Sequence, residues 1–95
     1  MVHPVSIKGF DSLESLAKEV GALRYDAMAK ITLEIARDLQ RQADLDLQQG
    51  KKKLARAGYK TARGYMDAYR AANEMMEISR KYMKSELENI PEIKI

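Results

Sequence analysis

Gln48-Gln49-Gly50-Lys51-Lys52-Lys53-Leu54-Ala55-Arg56-Ala57-Gly58-Tyr59-Lys60-Thr61-Ala62-Arg63 is the stretch on which the fold turns, because it holds the two glycines at which a helical chain of 95 residues can reverse. Gly50 is the choice by symmetry. A turn there leaves Asp44 and Asp46 near a helix C-terminus and Lys51 to Lys53 at the next N-terminus, each the wrong sign for the backbone dipole at about 0.3–1 kcal/mol apiece. It also offers no Ser, Thr, Asp or Asn to cap the second helix. Gly58 answers the dipole objection. Lys51, Lys52, Lys53 and Arg56 then fill the last turns of the preceding helix, and Tyr59 follows as the apolar residue able to touch Leu54, as in a Schellman motif. The reading favours Gly58, with Gly50 as the competitor.

Outward from this stretch the chain is helical on both sides. Asp11-Ser12-Leu13-Glu14 has capping-box spacing, so a helix is expected from Ser12, with Asp11 as its cap. Leu13, Leu16, Ala17 and Val20 share one face, and Leu23, Ala27, Ile31, Ile35, Leu39, Ala43 and Leu47 continue at intervals of four. Four residues turn a helix by about 400°, so that stripe drifts by about 40° per step. Gly21 marks a kink or a boundary. Downstream, Leu54, Gly58, Thr61, Tyr65, Ala68, Ala72, Met76, Ser79, Met83, Leu87 and Ile90 form the second stripe, which Pro91 ends. The expectation is an all-α fold in one domain, residues 1–95. It comprises an extended arm (1–10), a short helix at about 11–20, two long antiparallel helices at about 22–57 and 60–89, and an extended tail (91–95). The arm and the tail have the alternation to pair as a small sheet.

Ala57-Gly58-Tyr59-Lys60-Thr61-Ala62, with Tyr65 and Ala68, is similar to the turn of tetratricopeptide and microtubule-interacting-and-trafficking hairpins over about a dozen residues. Gln49 and Lys53 stand where those hairpins carry apolar residues, and no second copy follows at a period near 34, so no family is assigned on it. The two-helix layout also resembles secreted WXG-type hairpins, whose defining Trp this chain lacks.

Composition bounds the function. With 45% hydrophobic and 33% charged residues, 2 Pro, 5 Gly and no Cys, the chain reads as a folded helical protein without disulfides or Cys-based zinc sites. No run of about 20 apolar residues and no signal-peptide pattern occurs, so a soluble, unprocessed, cytoplasmic protein is expected. The one His, His3, lies in the arm, and no Glu has a His three residues on, so neither acid–base catalysis nor a carboxylate-bridged metal site is expected, nor any cofactor. Asp44 and Asp46 diverge on a helix, while Glu74 and Glu77 share a face with Lys81 and Lys84 as solvated charge.

Charge is segregated within the net +3. Residues 48–63 hold Lys51, Lys52, Lys53, Arg56, Lys60 and Arg63 with no acid, whereas the flanking segments are slightly acidic. On one helix Lys52, Arg56, Lys60, Arg63 and Arg70 fall within about 80° of one another. Solvation, or balance by Glu34, Asp38, Asp44 and Asp46, is the simpler reading; contact with nucleic-acid phosphates through Lys52, Arg56, Lys60 and Arg63 is the alternative. Two helices of 30 or more residues expose more apolar length than one short partner covers, so self-association into a bundle is expected, commonly with two-fold symmetry. The expected self-contacts are Ile31, Ile35, Leu39, Tyr65, Tyr69, Ala72 and Met76. The leading reading is therefore a non-catalytic protein-interaction or assembly module, homodimeric or larger.

Overall fold

The computed structural model describes residues 3–89, with side chains through Arg80 and at Tyr82. Three helices follow in order: α1 (Leu13–Gly21), α2 (Tyr25–Gln48) and α3 (Lys52–Asn89). The chain is an all-α helical hairpin in which α2 and α3 pack along one another, while α1 touches the rest only marginally. The radius of gyration, 16.7 Å, exceeds the roughly 12 Å of a compact 95-residue domain, and the longest dimension, 53 Å, is close to the span of α3.

Local chemistry sets the first two helix starts. Ser12, not Asp11, caps α1: its extended backbone (φ −155°, ψ 164°) lets Oγ accept the Ser15 N–H at 3.0 Å. Glu14 then sits in the first turn, where its charge complements the dipole. Gly21 proves to be a boundary, the last residue of α1. At the start of α2, Arg24 occupies the cap position without capping; its guanidinium instead grips the Asp26 carboxylate through two bonds of 2.9 and 3.0 Å, and Asp26 Oδ1 accepts the Ala27 N–H. Ahead of α1, the arm holds no strand among the described residues; Phe10 N–H reaches Ile7 C=O at 3.2 Å around Gly9, whose φ of +94° suits glycine. The expected partner of the arm, the tail 91–95, lies outside the described residues, as do Ile90 and the stop at Pro91.

The reversal is at Gly50, and the expectation of a turn at Gly58 is corrected. Gly50 has φ +80°, the Gly50 N–H bonds Leu47 C=O at 3.0 Å and the Lys51 N–H bonds Asp46 C=O at 2.9 Å, which together make a complete Schellman motif. The dipole penalty of the exposed charges is real, since α2 has no base in its last turn and α3 no acid in its first. It loses to packing. With the reversal at Gly50, Ala43 meets Gly58: a Cβ built on Gly58 would lie 3.0 Å from Ala43 Cβ. A reversal at Gly58 would instead set Ala43 opposite Glu74 and Ala36 opposite Lys81, replacing small residues by bulk and charge where the backbones approach.

The seam between the helices is alanine at heptad spacing. Ala29, Ala36 and Ala43 of α2 are buried, as are Ala55, Ala62, Ala72 and Met76 of α3. Recurrence at seven residues keeps one stripe facing the partner along a gently supercoiled pair, which a spacing of four does not. Hence the stripe at intervals of four in α2 is not the core: Leu23 and Leu47 are exposed and of its seven members only Ala43 is buried.

Candidate functional site

Helical geometry divides the hairpin surface into two sides. Rotating from Ala36 at about 100° per residue, Met28, Ile31, Ile35 and Leu39 fall about 60–140° to one flank of the α2 seam. Rotating from Ala62 in α3, Leu54, Tyr65 and Met75 fall over the same range, and because the helices run antiparallel these two flanks lie on the same side of the hairpin. This apolar side is wet in the single chain. Leu54 is 54% exposed, Met75 47%, Tyr65 39% and Ile35 36%. Beyond the end of the α2 pairing, Ile78 and Tyr82 of α3 are also exposed. Near the turn, His3 of the arm borders a hollow of about 550 Å³ with Arg41, Gln42, Leu45 and Leu54.

Each expected self-contact can be placed on this frame. Ile31, Ile35 and Leu39 stand on the α2 flank and Tyr65 on the matching α3 flank, where the structure brings them to one side. Tyr69 is half-buried in the seam. Ala72 and Met76, each 7% exposed, spend their surface against α2 within the chain and offer little to a second one. Sequence reasoning did not single out Met28, Ile78 and Tyr82. The signal that would have found the seam is the recurrence of Ala at 29, 36 and 43 and again at 55 and 62.

The other side is polar. Tyr59 donates its hydroxyl hydrogen bond to Asp44 Oδ1 across the helices, and the neighbouring carboxylate pushes the phenol pKa above its ordinary value. Two shallow hollows lie side by side here: one of about 310 Å³ lined by Leu47, Lys52, Ala55, Arg56, Tyr59 and Arg63, the other of about 280 Å³ lined by Ala36, Gln40, Tyr59, Ala62, Arg63 and Met66. The four cations expected to act together, Lys52, Arg56, Lys60 and Arg63, are all exposed on one unbroken helix, since Gly58 does not interrupt it.

The remaining charges form local surface pairs. Lys30 and Arg37 both reach Glu34, Arg41 reaches Asp38, Arg70 reaches Asp67 and Arg80 reaches Glu77. The Lys30 ammonium is the main cause that holds Glu34 below the usual carboxylate range, and Arg41, helped by Gln42, does the same for Asp38. Such exposed pairs contribute little to stability. Arg24–Asp26 differs, because both side chains are largely shielded (18% and 13% exposed) and the guanidinium bonds hold the Asp26 carboxyl low. Among the described residues no group of three or more His, Asp or Glu converges as a metal site, and no helix is long and apolar enough to cross a membrane. Compared with known proteins, the chain matches no family model, no curated sequence and no solved structure.

Proposed function

We propose that this chain is a non-catalytic assembly module that pairs with a second copy of itself through the apolar side of the hairpin, giving a four-helix bundle with two-fold symmetry. One observation carries the reading: the hairpin buries alanines and a single methionine, while thirteen large apolar side chains among the described residues stay exposed and none is fully buried. A buried alanine removes little area from water, and two helices alone make a thin core, so a fold of this kind gains most of its missing apolar burial from a neighbour. Ile35, Leu39, Tyr65 and Met75 lie where a second hairpin would pack, with Met28 and Ile31 at the flank. Tyr contributes area and keeps a hydroxyl for the wet rim, and Met adapts its shape. Work in the reducing cytoplasm, for which a cysteine-free chain needs no adjustment, belongs to the same proposal.

The test is the solution mass of the untagged protein by size-exclusion chromatography with light scattering, at low and high salt. The expected result is a salt-insensitive particle of twice 10.8 kDa. Ile35→Glu is expected to halve that mass while far-UV circular dichroism stays helical, because Ile35 is already 36% exposed in the single chain and its replacement leaves the alanine seam intact. A wild-type monomer at tens of micromolar, or an Ile35→Glu protein of wild-type mass, overturns the proposal.

A further inference from the structure

We propose that the polar side of the hairpin, at its turn end, binds the phosphate backbone of nucleic acid without sequence preference, through Lys52, Arg56, Lys60 and Arg63. The first ground is how the arginines are paired. Among the described residues, every arginine outside the basic window bonds an Asp or Glu: Arg24, Arg37, Arg41, Arg70 and Arg80. Arg56 and Arg63 have no such ion pair. Residues 48–63 contain no acid, and the nearest one ahead of Arg63, Asp67, is held by Arg70 at 3.0 Å. Within α2, Glu34 and Asp38 are engaged by their own neighbours, and neither Asp44, whose carboxylate accepts the Tyr59 hydroxyl, nor Asp46 forms an ion pair with the four cations. The fold therefore keeps together a block of like charge that no ion pair engages, with the Asp44 carboxylate beside Tyr59, while the α3 N-terminus adds positive potential at Lys52.

The second ground is shape. The two adjoining hollows share Tyr59 and Arg63, so they form one furrow along the α2–α3 groove, with Lys52, Arg56 and Arg63 at its rim and Ala55, Ala62 and the Tyr59 ring lining it. From Lys52 to Arg63 the helix rises about 16 Å, the axial length of roughly five nucleotides of one strand at about 3.4 Å each. A linear polyanion of uniform charge fits a straight row of cations beside an aromatic ring. An anionic membrane fits less well, because an interfacial helix sets its cations beside the apolar residues that insert, and of the exposed large apolar side chains only Leu47 borders this furrow, while Leu54, Tyr65 and Met75 lie on the other side of the hairpin. The site is complete in one chain and does not depend on self-association.

Fluorescence anisotropy with a labelled 20-nucleotide poly(dT) tests the inference, with a 20-base-pair duplex and vesicles of equal phosphatidylglycerol and phosphatidylcholine as parallel arms. Four neutralised phosphates give a log–log salt slope near −2.8 on single strands, so affinity should fall about 50-fold between 50 and 200 mM salt. The variant Lys52→Gln, Arg56→Gln, Lys60→Gln, Arg63→Gln should lose at least about tenfold in affinity at 50 mM salt, and Arg56→Gln alone should reduce the slope by about 0.7. Arg70→Gln with Arg80→Gln removes two cations already paired, and should leave binding within about twofold. Circular dichroism checks that all variants remain helical. No binding to either nucleic acid at 50 mM salt, equal losses in the quadruple and double variants, or binding to vesicles alone would each overturn the inference.

Discussion

Gly58→Ala puts the alanine seam to a quantitative test, with Gly64→Ala as its internal reference. Both glycines lie inside α3, and in each case alanine gains about 0.8–1 kcal/mol of helix propensity. At Gly64 the new methyl meets nothing within 4 Å, so that gain stands alone. At Gly58 it would lie 3.0 Å from Ala43 Cβ and 3.6 Å from Ala43 Cα, whereas carbon atoms settle at about 3.5–4.0 Å. The helices must part by several tenths of an ångström at this contact, and overpacking of this kind costs about 1–3 kcal/mol. Gly64→Ala should therefore stabilise by about 1 kcal/mol, while Gly58→Ala should range from neutral to about 2 kcal/mol destabilising. Urea unfolding followed by circular dichroism reads the shift in midpoint at constant slope, at one fixed protein concentration because self-association would make apparent stability depend on it. Adding Ala43→Gly to Gly58→Ala restores the room, and the double-mutant cycle should show a favourable coupling of about 1 kcal/mol. If Gly58→Ala stabilises as much as Gly64→Ala and the cycle shows no coupling, the helices separate freely and the seam does not set their distance.

Gly50→Ala forces a Cβ onto a backbone at φ +80° and should cost about 1–2 kcal/mol in a thermal melt, with Gly50→Asn costing less; an unchanged melt would place the reversal elsewhere. Asp26→Asn should cost about 1–2 kcal/mol at pH 7, from the loss of a shielded charge-assisted pair at the start of α2. Because the Asp26 carboxyl is held below its ordinary 3.8 in the folded chain, the stability it contributes is present above that value and lost as pH falls through the lower folded one. The gap between wild type and Asp26→Asn should accordingly close in strong acid, and a gap constant down to pH 2 would contradict the assignment.

Much of the local structure was legible. The capping pattern at residues 11–14 located α1 to within a residue, since Ser12 and Asp11 are both good caps and only the local backbone decides between them. Gly21 marked a helix boundary, and the basic block 51–63 was visible as soon as charge was counted along the chain. Less legible was the turn. Dipole and capping arguments favoured Gly58, but they concern exposed groups worth tenths of a kcal/mol each, whereas Gly58 is needed where two backbones nearly touch. The alanine seam was hidden for a related reason: Ile and Leu at intervals of four carry the most hydrophobic area, yet close helix contact selects the smallest side chains and leaves the large ones at the flanks.

The sequence alone determined that this protein is all-α, where its first helix begins, and that its cations are concentrated in one acid-free segment, because these follow from short-range periodicity, capping and composition. Only the tertiary structure decided the register of α2 against α3, and with it which residues are core, which side is left apolar and which cations lack an acidic partner. Each of these depends on what stands opposite a residue on another helix, and a helical period specifies a face without specifying its neighbour.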